Sequence, residues 1–263
     1  MHILNNLPLG TFDLHIHSTA SDGVYSPSQI VKCAKSVGLT TIAITDHDTL
    51  SGIKEGVEAG RHYSVDVIPG VELSASFRHH TVDVLGYNIK DCDTLDHALS
   101  VFRDHRKQRA LKIIETFTKW NMPLTVEDVK QFSGDGVITR PHIAKAIVKK
   151  GYADNVQQVF DKYLADGKPA AIPKHTLTPK QAIDLIRRHG GQAVLAHPIF
   201  LQEEWLRDVL EIGFDGIEIW HRAHQAHHVQ KFLSYAKKYG LVVTGGSDFH
   251  SDEHQLGGFL HTS

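Results

Sequence analysis

Short apolar runs alternate with helical patterns along most of the chain. In residues 12–17 apolar and polar side chains alternate, which is typical of a strand. We predict strands at residues 12–17, 41–45, 67–72, 82–87, 192–196, 216–220 and 241–245. Because helices follow most of these strands, the pattern predicts an α/β fold with parallel strands arranged in a barrel.

The helix boundaries carry their own signals. Ser26-Pro27-Ser28-Gln29 and Thr178-Pro179-Lys180-Gln181 each place an N-cap hydroxyl before a proline and a glutamine three positions later. A further helix is predicted from about residue 50 to residue 63. Between residues 93 and 165 the strand pattern stops and apolar residues recur at helical spacing. We therefore predict a barrel of residues 1–92 and 170–263 with a helical insertion domain of residues 93–169.

Polar residues with metal-binding chemistry fall at or near the ends of the predicted strands. They are His15, His17, Asp46, His47, Asp48, Glu72, Asp83, His197, Glu218, His221, Asp248 and His250. In α/β barrels the carboxyl ends of the strands carry the functional side chains. We expect these residues to meet at that end of the barrel.

The residue types at this end indicate a cluster of divalent metal ions. His15 and His17 are two apart on a strand and point to the same face, and Asp22 follows in a turn. Imidazoles and carboxylates with little thiol suit Zn²⁺, Mn²⁺ or Fe²⁺. The set exceeds the needs of one ion, so two to three ions are expected. Adjacent divalent ions commonly support cleavage of phosphate esters.

Two local features have more than one interpretation. Asp46 or Asp48 can orient the His47 imidazole, while Asp48 can equally cap the following helix. Gly245 and Gly246 precede Asp248, and we expect them to let the backbone pass close to a bound ligand.

Composition limits the partners and the compartment. The chain has 263 residues and a formal net charge of −2, so no global positive field exists to hold long nucleic acid. No signal peptide and no apolar segment of membrane-spanning length is recognised. Cys33 and Cys92 are too few for a disulfide framework and are expected to be thiols. We therefore predict a cytoplasmic protein that binds a small anionic substrate and no membrane.

Five motifs resemble those of a known family, in order and over essentially the whole chain. They are His15-x-His17, Thr45-Asp46-His47-Asp48, Gly70-Val71-Glu72, Ala196-His197-Pro198 and Ser247-Asp248-x-His250. This series is similar to that of the polymerase and histidinol phosphatase (PHP) family. The resemblance implies a distorted (β/α)₇ barrel, a trinuclear metal site and metal-dependent phosphoesterase activity.

Carried over by position, the resemblance implies three ligand sets: His15, His17, Glu72 and Asp248; Glu72, Asp83 and His197; and Asp22, His47 and His250. Asp83 departs from the family pattern, since many relatives have histidine there. Asp binds the same metals, so Asp83 is kept as the ligand, with His79 and His80 as alternatives.

The insertion contains Thr139-Arg140-Pro141-His142, which resembles the PHP subgroup of nucleotide phosphatases and short-RNA exonucleases. Arg140 precedes a predicted helix, where a guanidinium can bind phosphate in a forked geometry, and a surface arginine is the alternative. His142 is expected in the first turn, where free N–H groups favour anions. His221 is expected to bind a phosphate oxygen or donate a proton, whereas His224, His227 and His228 are expected to be exposed on a helix.

We expect direct hydrolysis of a phosphate monoester by a metal-bridged hydroxide. Asp248 would orient the nucleophile, Arg140 would stabilise the transition state, and His221 or water would protonate the leaving alcohol. Expected substrates are nucleoside 3′,5′-bisphosphates, AMP-like nucleotides or the 5′ ends of short RNA, not long duplexes. Two alternatives stay open, a histidinol-phosphate phosphatase and a metal-binding interaction module without catalysis.

Overall fold

The structure is a computed structural model that describes residues 4, 7–78, 80–133, 138–165, 167–172 and 176–260. Its strands are β1 (Phe12–Ile16), β2 (Thr41–Ile44), β3 (Asp66–Phe77), β4 (His80–Tyr87), β5 (Gln192–Leu195), β6 (Gly216–His221) and β7 (Val242–Gly246). Its α-helices are α1 (Pro27–Ser36), α2 (Ile53–Tyr63), α3 (Cys92–Lys119), α4 (Val126–Ser133), α5 (Arg140–Lys149), α6 (Val156–Val159), α7 (Pro179–Arg188), α8 (Glu203–Leu210) and α9 (Ala226–Tyr239). None of the helices in the described part of the chain is long and apolar enough to cross a membrane.

The strands form a seven-stranded sheet in chain order, from β1 to β7. β1, β2 and β3 pair in parallel, and so do β5, β6 and β7. Ile16 forms a parallel bridge with Phe249, and the His17 amide donates to the Phe249 carbonyl at 2.9 Å. These contacts bring the end of the sheet back to its first strand. They confirm the predicted barrel, which is nearly closed.

β4 departs from the parallel arrangement that the sequence pattern predicts. It runs antiparallel to both β3 and β5, with Glu72 opposite Leu85 in the first of these pairs. The connection between Phe77 and His80 is short and reverses the chain at once, so no crossover helix fits there. β3 therefore continues to Phe77, beyond the predicted end at Glu72, and forms a long hairpin with β4.

The signals at the helix starts are confirmed. The Ser26 hydroxyl accepts a hydrogen bond from the Gln29 amide, and the Gln29 side chain accepts one from the Ser26 amide at 2.8 Å. The same reciprocal pair starts α7. By contrast, α2 begins at Ile53 with Gly52 as its N-cap, so Asp48 does not cap it.

Contacts between Cα atoms divide the chain into two compact units, Met1–Leu99 with Thr176–Ser263 and Ser100–His175. The first unit contains the barrel and a buried cluster that includes Phe12, Leu14, Ala43, Ile68, Leu85, Tyr87, Val194, Val242 and Phe259. The second unit is helical and buries Ile113, Ile114, Phe117, Val129, Ile143, Ile147, Val159 and Leu164. Each unit therefore has an apolar core of its own.

The first turns of α3 belong to the barrel unit, whereas the sequence pattern places the domain boundary at residue 92. Leu95 and Leu99 are fully buried. The Asp96 carboxylate accepts a hydrogen bond from the Leu50 amide at 2.7 Å. These contacts attach the start of the helix to the barrel, a tertiary effect that helical spacing alone does not reveal.

Candidate metal centre

β1 and the loop after it position the first candidate ligands. His15 and His17 are both fully buried, and their spacing on the strand directs them to one side. Asp46 holds the loop, because its carboxylate accepts a hydrogen bond from the Ser18 amide at 2.7 Å. The loop brings Asp22 Oδ1 to 3.8 Å from His17 Nδ1. Asp46 thus supports the position of Asp22.

Glu72 lies among four imidazoles and is only 1% exposed. Its Oε1 lies 3.1 Å from His197 Nε2 and 3.5 Å from His15 Nε2. Its Oε2 lies 3.1 Å from His47 Nδ1 and 3.2 Å from His17 Nε2. Because the two oxygens face different pairs of histidines, this carboxylate is within reach of two adjacent cation positions.

Among the described residues, three groups place one donor atom from each member within 4.8 Å of the others. The groups are His15, His17 and Glu72; Glu72, Asp83 and His197; and His17, Asp22, His47 and His250. They overlap the three ligand sets that the PHP resemblance implies, and His17 joins the third. Asp248, the remaining member of the first set, places Oδ1 3.3 Å from His17 Nε2. All nine candidate ligands are therefore brought together.

The third group surrounds Asp22. Asp22 Oδ1 lies 3.4 Å from His250 Nε2, and Oδ2 lies 4.0 Å from His47 Nε2. The His17 and His250 rings stack with their centroids 4.1 Å apart. Burial alone would raise the pKa of Asp22, but the neighbouring histidines outweigh burial and hold that pKa far below its usual range. The carboxylate is therefore ionised and available to a cation.

The reversed direction of β4 positions Asp83. Because β4 is antiparallel, its first residues lie where the neighbouring parallel strands end. Asp83 Oδ2 lies 4.0 Å from His197 Nε2. His80 is exposed and its ring lies 4.4 Å from that of Trp205, and it belongs to none of the three groups found among described residues. His79 lies outside the described residues, and the geometry favours Asp83 over His80.

Arg222 holds the Asp248 carboxylate, a contact that the sequence does not predict. Arg222 Nη2 lies 2.8 Å from Asp248 Oδ2, and Nη1 donates to the Ser247 carbonyl at 2.7 Å and to the Asp248 carbonyl. Asp248 has a φ of 53°, a left-handed conformation that is uncommon outside glycine. The guanidinium therefore supports both this backbone and the direction of the carboxylate.

Glu218, buried on β6, orients two histidines of the cluster. Its Oε1 lies 3.1 Å from His15 Nδ1, and its Oε2 accepts a hydrogen bond from the His197 backbone amide at 2.7 Å. Because an ionised carboxylate only accepts, His15 carries its proton on Nδ1 and presents Nε2 to the cluster. His250 is oriented similarly, with Nδ1 3.0 Å from the Asp248 carbonyl. The strand-end pattern marks Glu218, but only the geometry reveals this supporting role.

His221 presents a protonated nitrogen to the cluster. Its Nδ1 accepts a hydrogen bond from the Ala223 amide at 3.1 Å, so the neutral ring carries its proton on Nε2. That nitrogen lies 3.6 Å from Asp248 Oδ2. A protonated Nε2 does not coordinate a cation, but it can donate to a phosphate oxygen or to a leaving alcohol.

The two glycines before Asp248 serve packing against neighbouring strands. A Cβ atom at Gly246 would lie 2.3 Å from the His15 Cβ, and one at Gly245 would lie 2.8 Å from the Trp220 Cβ. These contacts account for both glycines without a ligand, and a close approach of the backbone to a bound ligand stays a prediction. What passes close to Gly246 is the strand that carries the metal-binding motif.

Several buried polar atoms of the cluster have no hydrogen-bond partner within the described part of the chain. They are His15 Nε2, both ring nitrogens of His17, Asp22 Oδ1, Glu72 Oε2 and His221 Nε2. Buried polar atoms are normally paired, because leaving them unpaired destabilises the fold. Divalent ions that prefer imidazole and carboxylate donors would give partners to the atoms of His15, His17, Asp22 and Glu72, whereas an oxygen of the substrate would accept from the Nε2–H of His221. The donor set therefore fits a metal centre.

The cluster also favours positive charge. Burial alone would lower the pKa of His17, but the nearby carboxylates of Asp248 and Glu72 outweigh burial and raise that pKa to about 10. For His197, Glu72 likewise outweighs burial and raises the pKa to about 9. Since a metal binds only the neutral imidazole, cation binding must displace these protons.

Binding of Mn²⁺ or Zn²⁺ to the metal-free protein at neutral pH is therefore expected to release about one proton or more per chain. Imidazoles with a pKa of about 9 to 10 are protonated at neutral pH, so metal affinity should rise as the pH is raised toward that range. Calorimetry in two buffers with different ionisation enthalpies measures the protons released. Binding that is independent of both buffer and pH would contradict this charge balance.

Arg140 and His142 lie in the helical unit, at the start of α5. Arg140 Nη1 donates to the Leu164 carbonyl at 2.9 Å. His142 is buried, and its Nδ1 accepts a hydrogen bond from the Thr139 amide at 3.2 Å, which completes a capping box. This structural role was not predicted, and a role in substrate binding stays a prediction for both residues.

His224 is buried, in contrast to the expected exposed position on a helix. It precedes α9, its Nδ1 lies 2.8 Å from the Ile219 carbonyl, and its ring lies 5.3 Å from that of His221. Burial lowers the pKa of His224 to about 4, so the ring is neutral at physiological pH. His227 is exposed as predicted, and His228 is half-buried.

Comparisons with known proteins point to the same chemistry. The PHP domain family matches residues 13–166. The chain is 35% identical over 248 residues to the 5′-3′ exoribonuclease Rnm of Escherichia coli, covering 91% of this chain and 85% of that protein. It is 30% identical over 251 residues to the 3′,5′-nucleoside bisphosphate phosphatase of Chromobacterium violaceum, covering 92% and 88%. A solved structure from Bifidobacterium adolescentis, designated a metal-dependent phosphoesterase, matches with a TM-score of 0.83 at 29% identity, covering 95% and 91%.

Proposed function

This chain belongs to the PHP family of metal-dependent phosphoesterases, and we propose that it hydrolyses phosphate esters of small nucleotides or of the 5′ ends of short RNA. The observation that carries the proposal is the buried cluster of ligand groups that share Glu72 and His17. The two relatives give the substrate class, since one is named as a 5′-3′ exoribonuclease and the other as a nucleoside bisphosphate phosphatase. We also propose that the protein acts in the cytoplasm.

We propose two to three divalent ions, Mn²⁺, Fe²⁺ or Zn²⁺, held by His15, His17, Asp22, His47, Glu72, Asp83, His197, Asp248 and His250. Imidazole and carboxylate donors suit these cations. Bound there, such ions would supply a hydroxide nucleophile at neutral pH and would neutralise charge on the attacking and leaving oxygens.

The side chains around the cluster supply orientation and proton transfer. Asp248, whose carboxylate is held by Arg222, would orient the attacking nucleophile. His221 directs its Nε2–H into the cluster, where it would donate a hydrogen bond to a phosphate oxygen or to the leaving oxygen, while water would protonate the leaving alcohol. Glu218 keeps the His15 ring in the tautomer that binds a cation. Because the cluster is largely buried, each of these charges acts in a medium that screens it less than water does.

Phosphate release from a panel of esters tests the substrate class. We expect turnover of a nucleoside 3′,5′-bisphosphate, of AMP and of short 5′-phosphorylated RNA, and little action on long duplex RNA. Histidinol phosphate is not favoured, since the relatives reported above are named for nucleotide and RNA esters. If histidinol phosphate has the highest kcat/KM of the panel, the proposed substrate class is wrong. A non-catalytic module is disfavoured because all nine candidate ligands are present.

Arg140→Ala is expected to lower kcat/KM on a nucleoside 3′,5′-bisphosphate by about ten- to a hundredfold, if the guanidinium binds the phosphate that is not cleaved. Arg140→Lys should restore only part of the loss, because an ammonium cannot make a forked contact. p-Nitrophenyl phosphate, which has only the reacting phosphate, should lose much less.

The matched control for this prediction is Lys145→Ala, which removes an exposed cation from the same helix and should leave both rates unchanged. Circular dichroism checks that loss of the Arg140 contact with Leu164 has not unfolded the helical unit. Equal losses on both substrates would place Arg140 at the reacting phosphate. No loss on either would remove it from substrate binding.

A further inference from the structure

Phe200 is an apolar side chain placed in solvent beside the candidate metal centre. Its exposed fraction, 65%, is the highest among large apolar residues of the described chain. Single exposed apolar residues are common and need no explanation by themselves. The position of this one is informative, because its ring centroid lies 5.2 Å from that of His197 and 6.0 Å from that of His221.

The backbone that carries Phe200 is held in place. Phe200 ends a short 3-10 helix, Pro198–Phe200, and its amide donates to the His197 carbonyl at 3.1 Å. Pro198 is buried, and its ring restricts the backbone. The His197 amide donates in turn to Glu218 Oε2 at 2.7 Å. An aromatic ring on a fixed segment binds a flat partner with little loss of conformational entropy.

We propose that Phe200 is a stacking platform for the nucleobase of the substrate. The inference rests on the proposed nucleotide substrate and adds the residue that distinguishes a nucleotide from other phosphate esters. Aromatic side chains stack on any base through its π face, so Phe200 selects for the presence of a base, not for its identity. His197 and His221, next to the ring, belong to the cluster that receives the phosphate, so one nucleotide spans both sites.

Binding of two ligands that differ only in the base tests this proposal. One is a nucleoside 5′-phosphonate, in which CH₂ replaces the ester oxygen and prevents hydrolysis, and the other is the same ribose phosphonate without a base. Calorimetry on the Mn²⁺-loaded protein gives both dissociation constants. Phe200→Ala should weaken binding of the nucleoside ligand by about 5- to 150-fold and leave the ribose ligand unchanged.

Three further variants separate stacking from other effects. Phe200→Trp keeps an aromatic face and should retain the preference for the ligand with a base. Phe200→Leu keeps an apolar side chain without a π face and should lose most of that preference. Leu9→Ala removes another exposed apolar side chain, 54% exposed, and should change neither constant.

The outcomes distinguish this inference from the proposed function. Equal weakening of both ligands by Phe200→Ala would overturn it, because Phe200 would then act through His197 and the metal centre. Unchanged binding of both would overturn it as well. If Phe200→Ala loses base-dependent binding but the wild type does not hydrolyse nucleotides, Phe200 is still a stacking platform and the proposed substrate class is wrong. If the wild type hydrolyses nucleotides and Phe200→Ala changes neither binding nor kcat/KM, the proposed substrate class is supported and Phe200 is not a stacking platform.

Discussion

Glu72→Gln is expected to lower kcat/KM for phosphate release by about 10³-fold or more, since ions at a phosphoester centre contribute several kcal/mol to transition-state stabilisation. Each Glu72 oxygen faces its own pair of imidazoles, at 3.1 to 3.5 Å. Glutamine keeps the size of the side chain but replaces one anionic oxygen with an amide that donates hydrogen bonds. The glutamine side chain therefore cannot bind two cations at once.

Steady-state kinetics and elemental analysis of the same Glu72→Gln sample measure turnover and bound metal together. Glu211→Gln removes an exposed carboxylate at the end of α8 and should change neither. Far-UV circular dichroism shows whether the barrel remains folded. A Glu72→Gln protein with normal turnover and a full metal content would exclude Glu72 as the shared ligand.

Asp248→Asn is expected to lower kcat by roughly 10²- to 10³-fold, the loss typical of removing one preorganised electrostatic contact at a reacting centre. Asparagine adopts left-handed backbone conformations more readily than most residues, so the φ of 53° can be kept. What is lost is the negative charge that faces His17 at 3.3 Å and Arg222 at 2.8 Å. Wild-type kcat in Asp248→Asn would show that this charge is not needed.

The same variant tests whether Arg222 acts through Asp248. Arg222→Ala should slow the wild type by a smaller factor and slow the Asp248→Asn protein little further, because residues in direct contact do not act additively. Arg207→Ala, an exposed arginine on α8, is the control. Losses that multiply in the double variant would mean that Arg222 contacts the substrate directly.

The sequence predicts those parts of the site that depend on local geometry. Side chains two residues apart on a strand share a face, so His15 and His17 could be paired without a structure. The strand–helix alternation predicts that the other motifs meet at one end of a barrel, and Glu72 and His197 do lie 3.1 Å apart. Capping signals at α1 and α7 likewise act within a few residues.

The remainder depends on contacts between distant segments. Asp83 reaches the cluster because β4 is reversed, and the alternation of side chains between the two faces of a strand does not reveal the direction of its neighbours. The contact between His15 and Glu218 joins residues 203 positions apart. Arg222 and Asp248 are 26 positions apart, and no local pattern marks such an arginine. Burial of His224 also follows from tertiary packing.

Metal titration of the metal-free protein, with bound metal and rate measured in the same samples, tests directly whether the buried cluster is a catalytic metal centre. The substrate is a nucleoside 3′,5′-bisphosphate, and Mn²⁺ is added after exhaustive chelation. We expect no phosphate release without metal and a rate that rises until two to three ions are bound per chain, as the three ligand groups imply. Undiminished turnover in the metal-free protein, or a saturated stoichiometry at or below one ion, would contradict it.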